Sequence, residues 1–357
     1  MITVEAKRLL AVIDAAATAA AKSGPFPILE HVMLSSDDGA LTAVGTDGVV
    51  QVAALSDIPF DGDSFTVDAE TLRRLLRSMG DAEVSLSVDD DRATLSAGRS
   101  RYTLLTHRGY HYPVLDDSSE LVASIRTDAE ALRQAIEYVA PAMAKNDVRH
   151  YLNGVRIEAT DRRIDAVATD GHRMGHAWLD AQTDGRDAAA TIPPRAVTAI
   201  TKAGLSGEVM LAFRENTVSI SGNGVRITTK VLGGRFPEWR RVIPDDDGAH
   251  AVVFKKDFLE ALKRVSVTAD PVRSVLVTIR DRVMRLETGA DGESGAEEIE
   301  CQGGDGFSAA YNIGYVLDAV RVAHGGEIVM RVTDETRPAA FICVDTSWET
   351  LVMPMRR

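Results

Sequence analysis

The 357-residue sequence is poor in aromatic side chains, which make up 5% of it, so its cores must be aliphatic, built of Val, Leu, Ile and Ala. It holds two cysteines, Cys301 and Cys343, far apart and in no Cys-x-x-Cys pair. That argues against a disulfide framework and against a zinc site, and fits a reduced, cytoplasmic setting. No apolar run approaches the roughly 18 residues of a membrane span. The opening Met1-Ile2-Thr3-Val4-Glu5 reads as a strand, without the basic-then-apolar order of a secretion signal. No G-x-x-x-x-G-K-[ST] loop is present, so no nucleotide is expected, and no cofactor or metal either. Positive charge is short: 40 Lys and Arg stand against 53 Asp and Glu, a net charge of -13. Taken as a sum this opposes nucleic acid, but phosphate binding depends on local charge. What is present is a hydrophobic content of 45%, enough for full cores in two or three domains.

Self-similarity organises the rest. Residues 166–174, Ala-Val-Ala-Thr-Asp-Gly-His-Arg-Met, read as a buried strand running into a turn at Asp170-Gly171 that presents His172 and Arg173 together. The turn recurs in weaker form as Gly45-Thr46-Asp47-Gly48 and as Thr288-Gly289-Ala290-Asp291-Gly292. Each ends a layout of strand, amphipathic helix, strand and strand, with helices starting near Glu5, Asp128 and Lys256, about 123 to 128 residues apart. A second half-unit follows each time: a short strand, a helix, then alternating strands with one wet face. Its helices are Ala69 to Met79, Pro193 to Ala203 and Ile313 to Val322, and Gly222-Asn223-Gly224 reads as a hairpin turn. The expected architecture is α+β. It comprises three similar domains, 1–117, 118–244 and 245–357, each of two helix-plus-strands half-units, joined by acidic, apolar-poor linkers near 116–121 and 244–250.

The helices carry basic residues within an acidic whole. Arg73, Arg74 and Arg77 lie opposite Leu72, Leu75, Leu76 and Met79, with Glu70 to balance them. Arg195 and Lys202 share an outer face opposite Val197 and Ile200, while Lys256, Lys263 and Arg264 flank Leu259 and Leu262. Each helix alone fits a solvated face with i,i+4 pairs. Recurrence from one half-unit to the next points instead to a shared cationic surface for phosphates.

Four segments in order carry a resemblance: 149–154 (Arg-His-Tyr-Leu-Asn-Gly), 168–173 (Ala-Thr-Asp-Gly-His-Arg), 234–242 (Gly-Arg-Phe-Pro-Glu-Trp-Arg-Arg-Val) and the terminal 352–356 (Val-Met-Pro-Met-Arg). Along its whole length the chain resembles the bacterial DNA polymerase III beta subunit, the ring-shaped sliding clamps. The resemblance implies a DNA clamp fold, with helices lining a ring and sheets outside. It implies a head-to-tail homodimer that encircles double-stranded DNA and acts as a non-catalytic processivity factor in DNA replication. Lys22, Arg73, Arg77, His150, Tyr151, Arg195 and Lys202 would face the DNA. Arg99, Arg101, Tyr102 and Leu104 would meet Val267, Thr268, Glu297, Glu298 and Glu300 across the subunit joint.

The resemblance further implies a pocket for short peptides of the polymerase III alpha subunit, the clamp loader, and other polymerases and repair proteins. Its matching positions are Arg149, Leu152, Thr169, Gly171, His172, Arg173 and Met174; Pro237, Arg241 and Val242; and Leu351, Val352, Met353, Pro354, Met355 and Arg356. Met353 and Met355 suit adaptable apolar walls, Pro237 and Pro354 fix backbone shape, and the arginines suit a polar rim. Met174 stands where leucine is common, which allows a second reading, a clamp paralogue with altered partner or inhibitor binding. A third reading makes His172 and Asp170 a catalytic pair, though no nucleophile is suggested near them. No membrane partner is expected.

Overall fold

The computed structural model describes residues 1–160, 162–244, 249–270, 272–290, 292–304, 306–346 and 348–356. The acidic run Asp245 to Asp247 and Asp291 of the third turn fall outside the described residues. Among the described residues six α-helices form: α1 (Ala6–Ala17), α2 (Ala69–Met79), α3 (Ala129–Val139), α4 (Pro194–Lys202), α5 (Lys255–Val265) and α6 (Ile313–Val322). Local chemistry sets their ends. Asp68 accepts from the Thr71 amide at 2.7 Å to cap α2, which stops at Gly80 with φ of 58°. Asn312 caps α6 by accepting from the Gly314 and Tyr315 amides. Pro194 opens α4 where its missing N–H costs nothing. The helices bury apolar stripes: Leu9 and Ile13 in α1, Leu72 and Leu76 in α2, Phe258 and Leu262 in α5, Val316 and Val320 in α6. A side chain so buried contributes about 1.5–3 kcal/mol.

The chain forms two compact units, Met1–Arg133 with Glu158–Arg163 and Asp180–Leu232, and Gln134–Ile157 with Ile164–Leu179 and Gly233–Arg357. The second repeat contributes residues to both. In the first unit thirteen strands make one sheet. The Val50–Pro59 strand, which follows the Thr46-Asp47-Gly48 turn, pairs antiparallel with Val225–Lys230, the last strand of the second repeat. This ladder joins first-repeat strands to second-repeat strands edge to edge. α1 packs against the Ala40–Thr46 strand so closely that a Cβ on Gly45 would collide with the Ala16 carbonyl. The 116–121 linker is tied down: Asp117 bonds Arg214 at 3.1 Å and Arg226 at 2.5 Å.

The second unit repeats the device. The Arg173–Asp180 strand follows the Thr169-Asp170-Gly171 turn and pairs antiparallel with Glu349–Val352, the last strand of the third repeat. Beyond it run Ala339–Cys343, Glu327–Val332 and Ala249–Phe254. A separate four-stranded sheet holds Ser274–Arg280, Val283–Ala290, Phe307–Asn312 and, at its edge, Glu293–Glu300. Cys301 and Cys343 are buried and neither is in a disulfide.

The strand after each turn, Val50–Pro59, Arg173–Asp180 and Glu293–Glu300, is an element the sequence layout left out. Two of the three pair with the closing strand of the next repeat. Glu293–Glu300 has a neighbour on one side only among the described residues, and so does Arg101–Leu105, the outer stretch of the first repeat's closing strand, Ser100–Arg108.

Gly45→Ala is expected to destabilise the first unit by about 1–3 kcal/mol, because backbone rather than a flexible side chain must give way. Thermal denaturation of the purified variant checks this.

Candidate functional site

The site grows from the Thr-Asp-Gly turn. Thr169 Oγ1 donates to the Arg173 carbonyl at 2.7 Å and accepts from the Gly171 amide at 3.1 Å. Asp170 Oδ1 accepts from the His172 and Arg173 amides at 2.9 and 3.0 Å. Gly171 has φ of 91°, which a side chain would strain. The first-repeat turn has the same bonds: Thr46 to the Val50 carbonyl at 2.8 Å, the Gly48 amide to Thr46 at 3.0 Å, and the Val49 and Val50 amides to Asp47 at 2.9 and 2.8 Å. In the third repeat Thr288 Oγ1 donates instead to the Val265 carbonyl.

Arg173 is not presented to solvent as expected. It is 9% exposed, bonds Asp170 at 3.1 Å and Asp318 of α6 at 2.7 Å, and stacks 4.4 Å from the Tyr315 ring centroid. Asp170 is therefore committed to two amides and a guanidinium, and the paired catalytic use of Asp170 and His172 has no free carboxylate to work with. Burial, with the Asp170 charge next, raises the Tyr315 pKa above its ordinary value. Arg149 bonds Asp147 through Nε at 3.0 Å and a terminal nitrogen at 2.9 Å. That side-chain pairing, helped by the Arg149 amide, holds Asp147 at about 2.

Beside this turn lies a cavity of about 170 Å³, mostly apolar. Of the expected pocket residues, Arg149, Leu152, Thr169, Gly171, His172, Arg173, Met174, Pro237, Val242, Leu351 and Met353 line it. Met174 and Leu351, opposite each other on the paired strands, form its floor. Arg241, Val352, Pro354, Met355 and Arg356 do not line it. Val352 alternates to the other sheet face and is fully buried. Pro354 bridges to Tyr311, and the Met355 amide donates to the Ala310 carbonyl, so the terminus is pinned to the Phe307–Asn312 strand. Three lining residues were missed: Glu238, Trp239 and Pro338. Trp239 sits inside the quoted 234–242 segment, and its size in an aromatic-poor chain was the signal for it. Pro338 gave none, since it lines the cavity only because Ala339–Cys343 pairs with Glu349–Val352.

The expected DNA-facing cations divide. Lys22, His150 and Lys202 are exposed. Tyr151 is half-buried, its ring against Gly234. Arg73 and Arg77 both bond Asp14 of α1, at 2.5 and 3.0 Å, so their charge is offset by a partner the sequence reading did not supply. Arg195 is sewn into the first unit, bonding Asp47 at 2.8 Å and the Ala19 and Ala20 carbonyls at 3.0 and 2.8 Å. It closes the C-terminal end of α1, where carbonyls lack helical partners. Of the expected joint residues, Arg99, Arg101 and Tyr102 are exposed, Leu104 is half-buried and Val267 is 82% exposed. Thr268 is turned inward, bonding Thr288 at 2.8 Å. Glu297 is paired bidentately with Arg264 at 2.8 Å and Glu298 with Arg285 at 3.2 Å, both within this chain, while Glu300 is exposed.

Three models of the DNA polymerase III beta subunit match in succession: the N-terminal domain at residues 1–116, the central domain at 126–238 and the C-terminal domain at 240–356. This chain belongs to the beta sliding clamp family. A beta sliding clamp of Streptomyces coelicolor is 29% identical over 352 residues, 93% of each chain, and one of Haemophilus influenzae 27% over 339 residues, 92% of each. The crystal structure of the Thermotoga maritima DNA polymerase III beta subunit matches with a TM-score of 0.92 at 26% identity, covering 100% of this chain and 99% of that one. A Pseudomonas aeruginosa sliding clamp bound to griselimycin gives 0.92 at 25% identity over the same shares. Sliding clamps of this family are non-catalytic subunits. Among the described residues no helix is long and apolar enough to cross a membrane.

Arg173→Lys keeps the charge but loses the fork that reaches two carboxylates, and should lower the stability of the second unit by about 1–2 kcal/mol. Urea denaturation followed by tryptophan fluorescence measures it.

Proposed function

We propose that two copies of this chain close head to tail into a ring around double-stranded DNA, and that the cavity beside the Thr169–Arg173 turn docks short peptides of replication partners. The single observation that carries the ring is the matched pair of strand edges. The strand after the turn in repeats one and two pairs with the closing strand of the next repeat; among the described residues, the strand after the turn in repeat three, Glu293–Glu300, and the outer Arg101–Leu105 stretch of repeat one's closing strand have no such partner. The rule continues if Glu293–Glu300 of one copy pairs with Arg101–Leu105 of another. Arg99 and Arg101 on one edge suit Glu293 and Glu300 on the other. Read this way the chain comprises three clamp domains, 1–117, 118–244 and 245–357, six to a ring.

Duplex DNA is held by enclosure. Lys22, His150, Tyr151, Lys202 and the exposed Arg74, Lys256 and Lys263 supply diffuse attraction, with Arg73, Arg77 and Arg195 contributing less because carboxylates already hold them. The acidic remainder of the surface discourages binding elsewhere. Through the pocket the ring tethers the polymerase III alpha subunit, the clamp loader, and other polymerases and repair proteins, in the cytoplasm. A small apolar cavity with polar walls fits one or two apolar anchors of a peptide.

Loaded by its clamp loader, the protein is expected to stay on nicked circular DNA and to leave when that circle is cut. Equal retention on both contradicts enclosure. Met353→Ala is expected to weaken griselimycin binding about tenfold, through loss of a partly exposed apolar wall, and to leave oligomeric state unchanged. Titration calorimetry measures the first and sedimentation the second. Unchanged affinity would remove Met353 from the docking surface.

A further inference from the structure

The sheet face that floors the pocket carries a row of charges immediately beyond it. Met174 lies opposite Leu351, and two residues along each strand, on the same face, His176 lies opposite Glu349. His176 Nε2 is 2.9 Å from Asp165 Oδ1, and Nδ1 is 3.3 Å from Glu349 Oε1. The remaining oxygens accept from Arg240 at 3.1 Å and Arg331 at 3.4 Å. The row Arg240, Asp165, His176, Glu349, Arg331 thus alternates in sign, and His176 at its centre is 6% exposed. An ionised carboxylate only accepts, so an imidazole bridging two of them donates from both nitrogens and carries both protons. Burial, the largest single influence, favours the neutral ring; the bonds to Asp165 and Glu349 outweigh it and raise the His176 pKa above the ordinary histidine value.

Trp239 covers this row. Its ring centroid is 4.6 Å from that of His176, the Arg240 guanidinium lies 4.1 Å from it, and the residue is 4% exposed while lining the pocket. One indole therefore touches both the charge row and the cavity.

We propose that His176, held as an imidazolium between Asp165 and Glu349, is a positioning residue for the pocket: it seats Trp239 as a pocket wall, so that affinity for a docked peptide depends on the His176 proton. This rests on reading the cavity as a docking pocket. A neutral ring turns a nitrogen lone pair toward a carboxylate and gives up the attraction of the cation for the indole face. Because the folded pKa is raised, the contribution is whole below about pH 6.5 and is lost as pH rises through the folded value. The groups facing His176 are Asp165 and Glu349 on the flanking strands and Trp239 above it. Arg240 and Arg331 stand behind the two carboxylates. His172 is a second imidazole on the pocket wall, and its effect cancels between wild type and His176→Gln.

The test labels the full chain with 5-fluorotryptophan and follows the Trp239 fluorine resonance, assigned by Trp239→Phe, from about pH 6 to about pH 9 without ligand. Griselimycin affinity is measured over the same range. In the wild type the resonance is expected to titrate with one midpoint above about 6.5, and affinity to fall about tenfold, the change that follows from a one-unit pKa difference between bound and free protein. Asp165→Asn should move the midpoint down, and His176→Gln should abolish the titration of the resonance and make the fall in affinity clearly smaller than in the wild type. A resonance that does not titrate, or titrates alike in His176→Gln, overturns the proposal, as does affinity independent of pH while the resonance moves. Griselimycin failing to bind at any pH would contradict the docking reading, and the resonance would still decide whether His176 seats Trp239.

Discussion

An antiparallel strand leaves a row of amides and carbonyls along any edge that has no neighbour, and this chain is built around filling such edges. Two ladders do it within the chain: Val50–Pro59 with Val225–Lys230, and Arg173–Asp180 with Glu349–Val352. Each joins strands about 175 residues apart in sequence, so neither repeat it joins completes its sheet alone. The same turn precedes the first strand of each ladder, with a threonine hydroxyl and an aspartate carboxylate satisfying its amides. Arg195 braces one turn through Asp47, and Arg173 braces the other through Asp170 and Asp318.

The functional surfaces follow from that constraint. Where a ladder forms, its face becomes a floor: Met174 and Leu351 meet only because their strands pair, and the pocket stands on them. His176 and Glu349, one register step further, meet for the same reason, which places a charge row against the back of Trp239. Where such a ladder is missing among the described residues, at Glu293–Glu300 and at Arg101–Leu105, an edge remains that we propose a second copy fills. An acidic edge strand also discourages pairing with the wrong strand, because carboxylates resist stacking on other acidic surfaces.

Much of this was legible in the sequence. Helical periodicity located α2 and α6 to the residue, and the Thr-Asp-Gly recurrence gave the repeat. The strands that follow the turns were not legible. Glu293–Glu300, Glu-Ser-Gly-Ala-Glu-Glu-Ile-Glu, reads as a solvated acidic run, because both of its faces are largely exposed and the sequence lacks clear alternation. Arg173–Asp180 contains His176 and Arg173, whose burial is tolerated only by partners from distant strands and from α6. The same nonlocality explains the basic helices. Asp14 lies on α1, so nothing in the sequence of α2 shows that Arg73 and Arg77 share it. At the C-terminus a Met-Pro-Met run invited two adaptable walls, but alternation along a strand gives one face Leu351 and Met353 and the other Val352, and the Pro354 bridge then carries Met355 away.

The central claim is that the Glu293–Glu300 edge of one copy and the Arg101–Leu105 edge of another fill each other. Sedimentation equilibrium of the purified chain at micromolar concentration, near neutral pH and moderate salt, tests it most directly. The account requires a mass of two chains. A single-chain mass, unchanged as concentration rises, would contradict it.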